Sequence, residues 1–463
     1  MKITFRCTAV QHSRLKAHLL KGDGFESLSI ALCGVRRSGG HVVLMLHEVW
    51  NISDAECSLR SHNCVRWPTE AAIPIFDAAI RRGMAFLKIH SHPAGFGDFS
   101  QTDDHSDAVL CQAMQSMADE PILFASAFML PDGRLRLRIW GLDSKPRSCD
   151  RITLVGDSVQ FTDVSLNKRD PLEDEATLRT RQAFGDATTV LLSRLTVGVV
   201  GCSGTGSWVV EMVGRLGVKK LVLVDPDAIE RKNLNRIVNS TATDAEVRQS
   251  KVVALSTAVA AMGMGTEVAP YQTDLDNRDA VLALAECDFL FGCVDSADGR
   301  DALNRLATYY LIPFIDIGVR LDADADGGIR QITVAIHYLL PGGSTLLSRG
   351  VITAKQVSDH SLWRTDRQRY EGLKAEGYVH GVAVDSPAVV SINGFAASHA
   401  VNEMLARVHP FRRDGNEEFR HQVFSLTDGI WHRIPDDREA SEYLARKVGR
   451  GDCRPLLDNP AIE

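Results

Sequence analysis

Between Lys88 and Asp104 the chain reads KIHSHPAGFGDFSQTDD. His90 and His92 stand two positions apart after an apolar run, and in an extended backbone residues i and i+2 point the same way. Imidazole is a frequent zinc ligand, and a catalytic zinc takes three protein ligands and keeps one position for water. Asp103, in the first turn of a helix that Ser100 would cap, can supply the third ligand. Ser100 lies between, placed to donate a hydrogen bond. A carboxylate from further upstream would complete the set as general base toward a metal-bound water. Taken singly, each residue reads equally well as a turn or capping residue. The joint spacing is what restricts the chemistry.

A second set begins at VGVVGCSGTGS. Gly201, Gly204 and Gly206 sit between a strand and a helix, where a bare backbone lets a phosphate approach a helix N-terminus. Asp225, at the end of the next strand, suits a ribose hydroxyl, which is also what an NAD site needs. Asn233, Arg236, Lys251 and Asp295 follow. Two cations and a carboxylate behind a glycine loop suit a triphosphate with a magnesium ion, and hydride transfer has no use for them.

These residues need elements to position them. SLSIALCGV and HVVLMLHEVWNI read as strands joined at RRSGG, TEAAIPIFDAAIRRGM as a helix ending at Gly83, and AFLKIHSH as a strand leading into the first set. PILFASAFML and RLRLRIWGL read as a hairpin about PDG. From about Ala176 the pattern becomes βαβ-like, with buried parallel-type strands at DFLFGCVDS and IPFIDIGV and a long late helix. The expected organisation is α/β throughout: a domain over 1–150, a linker over 151–175 that opens on a strand pair and continues as a charged stretch with Pro171, a Rossmann-like domain over 176–435 and a tail over 436–463.

The spacing of the first set resembles the JAMM (MPN-plus, JAB) zinc metalloprotease family: His90-Ser-His92, the seven residues Pro93 to Phe99, then Ser100-Gln-Thr-Asp103. The resemblance implies His90, His92 and Asp103 as zinc ligands and Ser100 as the group that stabilises the tetrahedral intermediate. It also implies an upstream glutamate base. Glu26 in GFESLSIALCG is favoured and Glu48 is the competitor. The family cleaves peptide or isopeptide bonds after the C-terminal glycine of ubiquitin-like proteins.

The block from about Arg179 to His409 resembles the ubiquitin-activating enzyme superfamily, including the ThiF and MoeB proteins. The matching residues are Gly201-Cys-Ser-Gly204-Thr-Gly206, Asp225-Pro-Asp227-Ala-Ile229, Lys232-Asn233-Leu-Asn235-Arg236, Lys251 and Val294-Asp295. The resemblance implies ATP and Mg2+ as cofactors and adenylation of the C-terminal glycine of a ubiquitin-like protein. It also implies a homodimer in which Arg181 of RTRQAFG reaches the other subunit's site. No cysteine stands where many relatives carry one, so the acyl group either passes directly to another protein or is taken by a serine such as Ser344 or Ser348. The joint expectation is a bifunctional enzyme of a bacterial-type ubiquitin-like pathway, with a conjugating-enzyme-like partner. Sulfur-carrier activation and a non-catalytic scaffold are the alternatives.

Composition narrows the setting. The chain has 463 residues, 44% hydrophobic and 24% charged, and a net charge of −7. That argues for two or three domains of soluble type and against a general nucleic-acid binder. MKITFRCTAVQHSRLKAH has no apolar core of a secretory signal, and no run of 18 or more uninterrupted apolar residues predicts a membrane span. The ten cysteines form no CxxC pair and read as reduced thiols of a cytoplasmic protein.

Overall fold

A computed structural model of the chain describes residues 1–141, 145–163, 175–324, 326–376, 379 and 388–462. It divides into two compact units. The first comprises Met1–Asn167, Tyr309–Leu311 and Lys447–Pro460, and the second Lys168–Thr308, Ile312–Arg446 and Ala461–Glu463.

In the first unit, β1 (Lys2–Thr8), α1 (Ala9–Leu19), β2 (Leu28–Ser38) and β3 (His41–Asn51) are followed by the two-residue strands β4 (Leu59–Arg60) and β5 (Val65–Arg66). Then come α2 (Ile73–Arg82), β6 (Ala85–Ser91), α3 (Gln101–Met117), β7 (Phe124–Met129), β8 (Leu135–Trp140), β9 (Pro146–Ser148), β10 (Arg151–Val155) and β11 (Gln160–Asp163). Among the described residues one sheet has the order β11-β10-β1-β3-β2-β6-β7-β8-β9. Strand alternation divides its side chains between two cores. Ala85, Leu87 and Ile89 of β6 face Leu15 and Leu19 of α1, whereas Phe86 faces Phe76 of α2 and Met114 of α3. By the same period of two, Lys88 and His90 lie on the α2/α3 face.

Two boundaries differ from the sequence expectation. The strand pair read at the start of the expected linker is present as β10 and β11, but β10 also runs parallel to β1, so the pair belongs to the first sheet. Residues 164–174, with Pro171, lie outside the described residues. The expected tail is likewise not free. Gly449 accepts a hydrogen bond from Gly34 N at 3.1 Å, Asp452 N donates to Val35 O at 3.1 Å, and Cys453 joins the apolar cluster that contains Leu28 and Phe76. The approach is so close that a Cβ on Gly34 would run into the Gly449 carbonyl.

The second unit contains α4 (Leu178–Leu192), β12 (Thr196–Val200), α5 (Gly204–Arg215), β13 (Lys220–Val224), α6 (Ala242–Glu246), α7 (Lys251–Ala261), β14 (Glu267–Tyr271) and α8 (Arg278–Leu284). It continues with β15 (Phe289–Gly292), α9 (Ala297–Tyr310), β16 (Phe314–Ala323), β17 (Ile329–Leu339), α10 (Ala354–Thr365), α11 (Arg367–Ala375), α12 (Val390–Val408), β18 (His421–Ser425), β19 (Ile430–Arg433) and α13 (Glu442–Ala445). The sheet order is β14-β13-β12-β15-β16-β17-β18-β19, parallel from β14 to β16 and antiparallel beyond. The chain winds outward from β12 through β13 to β14, then returns to β15 on the other side of β12. That reversal opens a crevice at the carboxyl ends of β12 and β15, where Rossmann-like sheets bind nucleotides. No helix among the described residues is long and apolar enough to cross a membrane.

Candidate functional site

β6 delivers His90 from its last turn of pleat, and His92 follows on the same side. The two Nε2 atoms lie 2.9 Å apart. His92 Nδ1 is 2.9 Å from the carbonyl oxygen of Phe96. If that nitrogen carries the proton, Nε2 is left as a lone pair facing His90. Phe128 of β7 stacks on the His92 ring at 4.1 Å and holds its plane.

Ser100 and Asp103 form a capping box. Asp103 N donates to Ser100 Oγ at 3.1 Å, and Ser100 N and Oγ both donate to Asp103 Oδ2 at 2.7 Å. The capping and ligand readings therefore coincide: the cap fixes the Asp103 carboxylate so that Oδ1 lies 3.1 Å from His90 Nε2 and Oδ2 3.6 Å from His92 Nε2. Donor atoms of His90, His92 and Asp103 all lie within 4.8 Å of one another. Burial opposes the charge on Asp103, but hydrogen bonds from His90 and His92 outweigh it and hold the carboxyl well below its usual range.

Two nitrogens bound tetrahedrally at 2.0–2.1 Å from one zinc would stand about 3.3 Å apart, close to the separation seen. A half-buried carboxylate beside two buried imidazoles also supplies the charge a dication needs. The donor set fits zinc.

Glu26 precedes β2, which pairs with β6 so that Leu28 faces His90. Glu26 is 6% exposed, and burial, reinforced by the Asp103 charge, pushes its carboxyl up to about 7. Its N–H donates to Ser61 O at 2.7 Å, and Arg60 Nε donates to its carbonyl at 3.0 Å, so the β4–β5 hairpin clamps its backbone. Glu48 lies elsewhere. It pairs with Leu32, four residues along β2 from Leu28 and about 13 Å away at strand rise. Hydrogen bonds from His47 and then Arg82 hold it down to about 2. Of the two candidate bases, Glu26 is the one beside the imidazoles.

Behind this site lies a charged group that sequence reasoning missed. Lys88 Nζ donates to Asp107 Oδ1 at 2.5 Å, and Arg138 Nη2 donates to Asp107 Oδ2 at 2.8 Å. All three residues are buried. The signal was available: stepping back by two from His92 gives His90 and then Lys88.

In the second unit the glycine loop joins β12 to α5. Gly201 has φ of +87°, and a Cβ on Gly206 would run into Gly201 O, so only a bare backbone closes this turn. Gly204 faces the Asn393 amide of α12, a neighbour the motif did not announce. Asp225 ends β13. Its Oδ2 accepts from Cys202 N at 2.7 Å and its Oδ1 from Asp227 N at 2.9 Å.

The charged residues of this unit are engaged with one another. Lys251 Nζ lies 2.7 Å from Asp227 and 3.4 Å from Asp225. Burial would lower its ammonium, but those two carboxylates raise it. Asn233 accepts from Glu230 N at 2.9 Å, and Arg236 Nη1 donates to Lys232 O at 2.6 Å. Asp295 is exposed on the loop after β15, and no hydrogen bond or ion pair holds it among the described residues. Arg181 lies in α4, its Nε buried without a partner, and no bond ties it to the glycine loop.

The serines considered as acyl acceptors are occupied. Ser344 is 5% exposed; its hydroxyl donates to Asp436 at 2.9 Å and accepts from Arg349 Nε at 2.9 Å. Ser348 Oγ donates to Thr345 O and accepts from Thr345 N. Burial raises the Cys202 and Cys293 thiols far above their usual range.

Curated relatives match only part of the chain. Ubiquitin-like modifier-activating enzyme 5 of Drosophila willistoni is 25% identical over 183 residues, 36% of this chain and 42% of that protein. Adenylyltransferase and sulfurtransferase MOCS3 of Danio rerio is 32% identical over 117 residues, 25% of each chain. The chain thus spans less than half the length of these relatives. Among solved structures, E. coli MccB aligns at 14% identity with a TM-score of 0.43, over 61% of this chain and 73% of that one. PaaA aligns at 15% with a TM-score of 0.43, over 59% and 87%. The ThiF family model matches residues 177–442, more than half of the chain and nearly all of the second unit's continuous course. With its glycine loop at the sheet's switch point and the Asp225–Lys251 pair behind it, this chain belongs to the ThiF family.

Proposed function

We propose that the chain carries two activities directed at one class of substrate, a ubiquitin-like protein ending in glycine. The second unit adenylates that terminus. A carboxylate oxygen attacks the α-phosphorus of ATP, the bond from that phosphorus to the bridging oxygen breaks, and pyrophosphate leaves; a magnesium ion would offset its charge. Gly201, Gly204 and Gly206 cradle phosphates, Asp225 takes the ribose, Asn233, Arg236 and Lys251 neutralise the triphosphate, and Asp295 holds Mg2+. Arg181 serves the partner subunit of a homodimer. The observation that carries this half is family membership, together with the bare glycine loop at the crevice. Its test is ATP–pyrophosphate exchange dependent on a ubiquitin-like substrate, lost in Asp295→Ala.

The first unit is a JAMM-type zinc peptidase that processes or removes the same protein. His90, His92 and Asp103 hold the metal, which would polarise the scissile carbonyl and acidify a water molecule. Glu26 takes the proton of that water and returns it to the leaving amine. Ser100 first fixes Asp103; to stabilise the intermediate its hydroxyl must turn from Asp103 toward the substrate. The observation that carries this half is the convergence of three donors beside a buried glutamate raised to about 7. Measurement of about one zinc per chain, lost in His90→Ala, tests it. With Ser344 and Ser348 tied up and the loop thiols buried, the adenylate passes directly to a conjugating-enzyme-like partner. The MOCS3 likeness favours sulfur-carrier activation as second reading, separable by detecting a thiocarboxylate product.

A further inference from the structure

The charged group behind the imidazoles has a register. Lys88 stands two residues before His90 on the same face of β6, a rise of about 6.6 Å. Asp107 stands four residues after Asp103 in α3, a rise of about 6 Å and one turn, so both project from the same side of the helix. Strand and helix therefore meet in two matching rungs. Lys88 pairs with Asp107 at 2.5 Å, and one step on His90 meets Asp103 at 3.1 Å.

Arg138 of β8 locks the first rung. Its Nη2 donates to Asp107 at 2.8 Å, its Nη1 to Asp104 at 2.5 Å, and its Nε to Ser126 Oγ on β7 at 3.0 Å. Its guanidinium lies 3.7 Å from the centroid of Phe99, the residue before the cap. One arginine thus grips both turns of α3 that carry Asp103 and Asp107. Asp107 is fully buried, and its two oxygens are shared between Lys88 and Arg138. Such a group has one satisfied arrangement, and a slip of the helix by one residue leaves a buried charge unpaired.

We propose that Lys88, Asp107 and Arg138 are positioning residues: a buried charged rung that sets the register of α3 against β6 and so aims the Asp103 carboxylate at His90 and His92. The consequence for metal rests on the zinc reading above. The register itself does not.

The experiment uses the full chain and three variants, Asp107→Asn, Arg138→Lys and Lys88→Gln. Zinc affinity is measured by chelator competition, and coordination geometry by the visible bands of the Co2+-substituted protein. Nitrogen shifts of the two imidazoles are recorded without metal. The expected result for Asp107→Asn is a 10- to 100-fold loss of zinc affinity with altered Co2+ bands, in a chain that still unfolds cooperatively. Arg138→Lys, which keeps the charge but loses the fork, should give a smaller shift of the same kind. A folded Asp107→Asn with unchanged affinity and bands overturns the proposal. If Asp107→Asn does not fold, the same comparison is read from Lys88→Gln and Arg138→Lys. If the wild-type chain binds no zinc, the zinc reading fails separately. The imidazole shifts then decide: displacement in the variants supports the register, and identity with wild type overturns it.

Discussion

The two units prepare for their ligands in opposite ways. In the first, the donors are already together: His90, His92 and Asp103 converge within 4.8 Å, held by a capping box, a stacked Phe128 and a buried charged rung. In the second, what stands ready is backbone. The glycine loop is closed, while Lys251 is paired with Asp225 and Asp227, Arg236 caps its own turn and Asp295 faces solvent. A dication needs a few donors fixed to within tenths of an ångström, which a strand and a helix start can supply. A triphosphate is large, flexible and highly charged. On the proposed reading, Lys251 would give up Asp225 and Asp227, and Arg236 its own turn, for phosphate.

The largest effect to expect separates the units by stability. Truncation after Arg446 removes the segment that covers β2 and β3 in the first unit. It leaves Gly34 N and His47 without their partners Gly449 O and Val448 O and uncovers the cluster around Cys453. Two lost hydrogen bonds take about 1–3 kcal/mol from a domain total of about 5–15 kcal/mol, and exposure of the apolar cluster adds to that. The first unit should unfold or lose its zinc, while pyrophosphate exchange persists. A truncated chain with full zinc content and an unchanged first melting transition would show that the segment only decorates the surface.

Next are two substitutions that disable one site each. Glu26→Gln should keep zinc and lower peptidase turnover by about 10²- to 10⁴-fold, because the base does not hold the metal. Glu48→Gln, remote and paired with His47 and Arg82, should stay within a few-fold of wild type. The reverse ranking would return the role to Glu48. In the second unit, Gly206→Ala forces the loop away from Gly201 O and should abolish pyrophosphate exchange with zinc content unchanged. Retained exchange would mean the loop does not cradle phosphate in this form.

What could be read from the chain followed the length scale of each signal. The three candidate metal donors fall within Lys88–Asp104, so spacing, strand alternation and capping chemistry suffice to group them. The glycine loop and Asp225 were legible as a strand–turn–helix–strand pattern. Arg138 was not, because its partner Asp107 is 31 residues away and nothing local marks the pair. β1 and α1 lie in an N-terminal stretch whose alternation is short, Ile3, Phe5 and Cys7, and gives way to the largely polar run Gln11–Lys16, so the local mark they carry is faint. The return of Lys447–Pro460 to the first unit escaped for a different reason. Its contacts are a few backbone hydrogen bonds, one side chain in the apolar cluster, Cys453, and scattered polar contacts, which leave no periodicity. The expected boundary at 150 fell inside a sheet because β10, besides pairing with its neighbour β11, runs parallel to the remote β1, a pairing that no local pattern marks.

The smallest expected effect contrasts the buried imidazoles of the two units. His92 lies beside the Asp103 carboxylate. Burial disfavours its protonated form, but the hydrogen bonds it donates to the Asp103 carboxylate and the Phe96 carbonyl, with the Asp103 and Glu26 charges, together outweigh that and raise it. His337 and His421 face each other across β17 and β18 with ring centroids 4.3 Å apart, next to Arg349. Burial lowers both, His421 to about 4, and the nearby cations Arg349, Arg300 and Arg438 act in the same direction against the opposing pull of Asp436. The sign follows. An unfolded histidine titrates near 6.5, so between about 6.5 and 4 the unfolded chain binds protons that the folded pair refuses, and stability falls with falling pH. Hydrogen exchange of β17 and β18 peptides at pH 7.5, 6 and 5 should therefore accelerate on acidification, with a drop of a few degrees in the corresponding melting transition. His421→Gln, which cannot charge, should flatten that slope. A wild-type slope of zero, or one unchanged in His421→Gln, would place the acid sensitivity of the second unit outside this pair.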